Sequence, residues 1–177
     1  MTIHIEDLIQ QVCVWNSRRY EQEYNHELTI QLLVEEHNET VDAAKAEDLV
    51  EIADGLADIF YVAVGALWKQ GLTASDIPNA CRQIEREIKF LPPISIAIEW
   101  YKAKPRTAIL TLVAVAALQD LIEFTQSTST AINIIKAVCD SNDTKDAVKT
   151  DPAVKANINK GRQFVSPKAR IKELLDA

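Results

Sequence analysis

Glycine and aromatic side chains are scarce in this 177-residue sequence: four glycines and 6 % aromatics, with only six prolines. With the apolar residues recurring mostly at three- and four-residue spacing, that scarcity argues against sheet and for helices. Cysteine is also rare. Cys13, Cys81 and Cys139 are odd in number, far apart and outside any Cys-x-x-Cys motif. This excludes a disulfide framework or a zinc knuckle and marks them as core fillers in a reducing compartment. Positive charge is short as well: 19 Lys and Arg against 26 Asp and Glu, a net charge of −7 and a pI near 5.0. No basic stripe exists to neutralise phosphates, so nucleic acid and anionic membrane are not expected partners. The most apolar run, "TAILTLVAVAAL" at 107–118, falls short of the ~20 residues a membrane span needs and is expected to be a buried helix. The opening "MTIHIEDLIQQ" carries acids early and lacks the basic start and apolar core of a signal peptide, so a cytoplasmic protein is expected.

What is present is enough apolar residue, 47 % of the chain, to close the core of one domain over 1–177. The expected architecture is an all-α bundle. Helices are predicted over 5–24, over 25–45 and over 47–70 with Gly71 as a C-terminal cap. Further helices are expected over 75–90, from Pro105 to 124, over 130–138 and from Pro167 onward. Pro105, Pro152 and Pro167 are each expected in a first helical turn, with Asp151 and Ser166 as N-caps. "LPP" at 91–93 breaks the chain, and 141–164 reads as a polar, loop-rich tail laid over the bundle.

The unusual feature is a crowd of carboxylates on two consecutive helices: Glu35, Glu36, Glu39, Asp42, Glu47, Asp48, Glu51, Asp54 and Asp58, with Lys45 as the single base among them. On the third predicted helix Leu49, Ile52, Ala53, Leu56, Ile59, Phe60, Ala63, Val64 and Leu67 form the core face. Glu51, Asp54 and Asp58 make a second stripe, which Tyr61, Val62 and Gly65 continue. The far half of that helix is therefore apolar nearly all round and must be covered, so its acids face a groove. On the preceding helix Leu28 and Leu32 lead along one line into Glu35 and Glu39, with Glu36 beside them. A plain solvated face is the bland alternative. Like charges at i, i+4 repel, however, and more so when part-buried. A divalent cation relieves them, and hard oxygen donors without His or Cys point to Mg²⁺ or Mn²⁺. A ferritin-like di-iron bundle needs Glu-x-x-His on two helices; "EYNH", Glu23 to His26, is the single instance.

Glu35-Glu36-x-x-Glu39 followed by Glu51-x-x-Asp54 resembles the all-α nucleoside triphosphate pyrophosphohydrolases, which include the MazG proteins, the all-α dUTPases and dCTPases, and phosphoribosyl-ATP pyrophosphohydrolase. "EIADGLADIFYVAVGAL" looks most like the phage-type MazG members. The tail, Ser141-Asn142-x-x-Lys145, then Lys160-Gly161-x-x-Phe164 and Pro167, is similar to the ending of those proteins. The resemblance covers 25–71 and 131–172; 72–130 match nothing and are open as a lid, a dimer contact or an extra layer.

The resemblance implies an Mg²⁺-dependent enzyme splitting a (d)NTP into monophosphate and pyrophosphate. It implies Glu36, Glu39, Glu51 and Asp54 as metal ligands and Asp58 as a second-tier one, because "ADIFY" also fits the motif, with Gly55 in place of its glutamate partner. Glu35 or Glu36 orients or deprotonates the attacking water. Lys145, Lys160 and Arg162 supply positive charge for the phosphates, with Asn142 as a polar contact to substrate, and Trp15 and Asn16 are candidates to stack on and hydrogen-bond the base. A homo-oligomer is expected. The alternatives are a phosphoribosyl-ATP pyrophosphohydrolase-like enzyme and a non-catalytic helical interaction protein.

Overall fold

The computed structural model describes residues 3–145 and 164–177. The described residues form eight helices and no strand: α1 (Ile5–Arg19), α2 (His26–Lys45), α3 (Leu49–Lys69), α4 (Asp76–Glu87), α5 (Ile94–Ala103), α6 (Thr107–Thr125), α7 (Thr128–Asp143) and α8 (Lys168–Leu175). The all-α class is as expected. Helix α3 lies at the centre, with α2 along one side, α6 along another, and α1, α7 and α8 completing its surround. One apolar cluster runs from Leu8 and Ile9 of α1 through Ile59, Phe60 and Leu67 of α3 and Leu110 and Leu121 of α6 to Ile171 of α8.

Local chemistry sets the central hairpin. Asn25 caps α2 by accepting from the Leu28 amide at 3.0 Å. At the other end Glu47 N–H donates to Ala44 O and Asp48 N–H to Ala43 O. These are the two bonds of a Schellman motif, with Glu47 at φ 57 in the left-handed position glycine usually takes. Asp48 then caps α3, its Oδ1 accepting from the Val50 and Glu51 amides at 3.1 Å each. So short a connection makes α2 and α3 antiparallel neighbours. Helix α3 ends in a second Schellman motif at Gly71, φ 95, as its composition predicts.

Several expectations are corrected. Helix α1 stops at Arg19, and Tyr20 is extended; residues 20–25 cross the bundle, held by Gln22 Nε2 donating to Trp68 O at 2.8 Å. Helix α5 was not foreseen. Helix α7 runs past the apolar "TAINIIKAV" to Asp143, because Gln11 of α1 donates to Asp140 and Asp143 at 3.1 and 2.7 Å and holds that polar end in place. Pro105 precedes the N-cap Arg106, and Pro167 is itself the N-cap position of α8, so neither lies inside its helix. Ser166 accepts from the Lys168 amide at 3.4 Å from just outside the helix. Leu49 is 57 % exposed, because the first turn of α3 projects beyond the core. Asp151 and Pro152 lie outside the described residues.

Helix α6 is longer than the apolar run inside it, 19 residues, and is long and apolar enough by composition to cross a membrane. Its residues Leu110, Thr111, Leu112, Val113, Ala114, Val115, Ala116 and Ala117 are all buried, packed on α3, α4 and α5. It is the second core helix of this bundle. Residues 72–130 thus contribute α4, α5 and α6 to the bundle. All three cysteines are free; Cys13 and Cys139 are buried and Cys81 partly so. Burial pushes the Cys13 thiol up to about 11 and, with Glu85 adding to it, the Cys81 thiol to about 12, which suits inert core positions.

Candidate active site

The acidic helices meet where α3 has no side chain. A Cβ on Gly55 would lie 2.2 Å from Thr40 Oγ1 and 3.2 Å from Thr40 Cβ, so α2 and α3 touch almost backbone to side chain. Thr40 Oγ1 donates back to Glu36 O at 2.7 Å. One turn back along α2 and one turn forward along α3 from this contact, the antiparallel register sets Glu36 level with Asp58. The electrostatics agree: burial holds the Asp58 carboxyl well above the usual carboxylate range, and the charges of Asp54, Glu36 and Glu39 raise it further, while Lys145 opposes them. Glu35, Glu36, Asp54 and Asp58 are half-buried and Glu39 is exposed.

The missing positive charge arrives mainly from the C-terminal part of the chain. Lys45 pairs with Asp42 at 2.7 Å on the surface, away from the other acids. Lys145, at the end of α7, acts on Asp58. Lys168, the first residue of α8, ion-pairs with Glu51 and is raised by that bond and by Glu51, Asp54 and Asp48 nearby. Sequence reasoning missed Lys168, whose only signal is a position close after the tail motif.

A cavity of about 190 Å³ opens beside these acids, lined by Glu36 and Asp58, by Asn142 and Lys145, and by Trp15 and Asn16. Six candidates from four separate stretches of chain therefore share one cavity. Asn142 is 5 % exposed. Trp15 spends its indole N–H on Asn142 O at 2.8 Å, which leaves only its ring for a ligand. The ring meets Tyr61 edge-on at 5.7 Å and lies under the Arg19 guanidinium at 4.2 Å. Asn16 donates to Val12 O at 2.9 Å and packs against Gly65, where a Cβ would come within 2.9 Å of its Nδ2.

Arg19 and Lys69 have no role in the sequence reading, and Tyr61 enters it only as a continuation of the acidic stripe. Arg19 is buried and donates Nη2 to Lys145 O at 2.7 Å, which clamps the end of α1 to the end of α7. Tyr61 lines the cavity with its hydroxyl buried and without a hydrogen-bond partner among the described residues. Lys69 lines it as well. Glu35, Glu39, Glu51 and Asp54 do not line the cavity, and Lys160 and Arg162 lie outside the described residues.

The donor set suits a divalent ion in chemistry: hard oxygens whose mutual repulsion, felt at Asp58, a cation would relieve. Among the described residues no three Asp, Glu, His or Cys side chains stand ready-made to hold one. Metal binding by these acids therefore requires their side chains to close around the ion.

A family model described as phosphoribosyl-ATP pyrophosphohydrolase matches residues 6–86, a little under half of the chain. The match spans α1, α2, α3 and most of α4, and so includes both acidic helices. No curated protein and no solved structure matches.

Proposed function

We propose that this chain, which belongs to the all-α nucleoside triphosphate pyrophosphohydrolase superfamily, is an Mg²⁺-dependent enzyme that hydrolyses free (d)NTPs to monophosphate and pyrophosphate. The observation that carries this reading is the shared cavity, where Glu36 and Asp58 of the acidic hairpin meet Asn142 and Lys145 of the tail and Trp15 and Asn16 of α1. A triphosphate is polyanionic and this protein carries a net charge of −7, so the substrate needs a mediating cation and a few placed positive groups.

In this reading Glu36, Glu39, Asp54 and Asp58 hold Mg²⁺, or Mn²⁺ in its place, with Glu51 released from Lys168 as a further ligand. When bound, the ion supplies charge neutralisation, an activated water and stabilisation of the leaving oxygen. Glu35 or Glu36 accepts the proton of the water that attacks the α-phosphorus, breaking the bond to the β-phosphate. Lys145 and Asn142 hold phosphate oxygens, one through charge and the other through its side-chain amide. Arg19 keeps the Lys145 backbone in place from behind. The Trp15 ring offers a face to the nucleoside.

The description of the matching family model favours phosphoribosyl-ATP as a second substrate class. A panel of dNTPs, NTPs and phosphoribosyl-ATP with Mg²⁺, scored for pyrophosphate release, separates the two. Glu39→Gln is expected to abolish release while leaving the helical circular dichroism intact; unchanged turnover removes Glu39 from the mechanism.

A further inference from the structure

Lys168 stands where local chemistry disfavours a cation. It is the first residue of α8, whose opening turn carries no acid, and the positive end of the helix dipole repels an ammonium. What answers its charge comes from another element. Lys168 ion-pairs with Glu51, and Asp54 and Asp48 act on it from the same end of α3. The backbone that carries it is fixed: one turn on, Ile171 is fully buried in the core, and α8 packs on α3 and α7. Tertiary packing, against helix preference, therefore holds a positive group beside the first turns of α3.

Glu51 and Asp54 are among the acids proposed above to hold a divalent ion. An ammonium beside them does part of what that ion would do, because it relieves the repulsion between neighbouring carboxylates. It does so weakly. The Lys168 and Glu51 side chains are 51 % and 40 % exposed, and an exposed ion pair contributes little because water and salt screen it. A divalent ion carries twice the charge and gathers several oxygen ligands at once. The lysine stem is flexible, so the ammonium can swing into solvent while Ile171 keeps α8 docked.

We propose that Lys168 is a stand-in cation: it neutralises Glu51 in the metal-free protein and must leave that carboxylate before a divalent ion can take it. Lys168 thereby sets the free-ion concentration at which the acids load, and so the concentration at which turnover begins. Among the described residues no three ligands stand ready-made, in keeping with a Glu51 that is engaged elsewhere. The inference rests on the metal site proposed above.

Equilibrium binding of Mn²⁺ alone, followed by loss of the free-ion electron paramagnetic resonance signal, compares the wild type with Lys168→Met, Lys168→Arg and, at an exposed position of the same helix, Lys172→Met. Circular dichroism is the folding control. Lys168→Met is expected to lower the Mn²⁺ Kd by about twofold to fivefold, the worth of an exposed ion pair, while Lys168→Arg and Lys172→Met stay near the wild type. Equal or weaker affinity in Lys168→Met, or the same gain in Lys168→Arg, overturns the inference. A second readout needs no substitution. Acetic anhydride labelling of the wild type, resolved by peptide mass spectrometry, should rise at Lys168 and not at Lys172 when Mn²⁺ is added, because the ammonium leaves Glu51; unchanged labelling at Lys168 also overturns the inference. Failure of Mn²⁺ to bind the wild type and every variant defeats instead the metal site of the proposed function, and the inference with it.

Discussion

Gly55→Ala is the substitution on which the geometry of the acidic hairpin bears most directly. In an open helix interior it would stabilise by about 1 kcal/mol, since alanine is the better helix former. Here the added carbon would lie 2.2 Å from Thr40 Oγ1, 3.2 Å from Thr40 Cβ and 3.5 Å from Thr40 Cα. Rotating the hydroxyl away sacrifices its bond to Glu36 O, a loss of about 1 kcal/mol. It does nothing for the Cβ contact, so α2 must also move by a few tenths of an ångström, and overpacking of that kind costs about 1–3 kcal/mol. The balance is a net destabilisation of about 2 kcal/mol, or a fall in Tm of about 4–8 °C for a chain of this size. Thermal and urea melts of the single variants and of Thr40→Ala/Gly55→Ala measure it. Because Thr40→Ala removes the clashing oxygen, the double variant should recover most of the loss, with a coupling energy of at least about 1 kcal/mol. Pyrophosphate release should fall in Gly55→Ala, because the shift moves Glu36 relative to Asp58. A Gly55→Ala protein as stable as the wild type, or purely additive melts, would refute the close contact.

Asp58→Asn should abolish turnover yet stabilise the metal-free protein. A carboxyl raised in the folded state by burial and by Asp54, Glu36 and Glu39 penalises folding only above its unfolded pKa of about 4. The gain, about 1 kcal/mol or roughly 2–4 °C in Tm, should therefore be present at neutral pH and absent below pH 4. An equal gain at both contradicts the electrostatic account. Glu47→Gly should stabilise by about 1 kcal/mol, because Glu47 occupies a left-handed position, φ 57, that a side chain resists; a melt showing no gain counts against the Schellman turn.

Helical class, the α2–α3 hairpin and the acidic stripe on α3 were legible because each depends on residues a few positions apart. Periodicity and a C-terminal glycine such as Gly71 are properties of the local chain. The errors lie where distant contacts override local preference. Residues 20–24 have nothing against helix in their composition, but Gln22 is tied to Trp68 and the helix stops at Arg19. The end of α7 is polar enough to read as loop, but Gln11 holds Asp140 and Asp143 in helix. The same division runs through the site. Glu36, Asp58, Asn142 and Lys145 were named from their motifs, whereas Lys69 and Arg19 carry no local signature, and Tyr61 and Lys168 acquire a role only from what they face.

By itself the sequence determined that carboxylates would crowd one face of two adjoining helices, since charge and spacing are written in the order of residues. Only the tertiary structure decided which of them lie together and what answers their charge. That depends on how closely α2 and α3 approach at Gly55 and Thr40, and on α7 and α8 bringing Lys145 and Lys168 back across most of the chain. Contacts between residues a hundred positions apart arise from packing, and no local pattern records them.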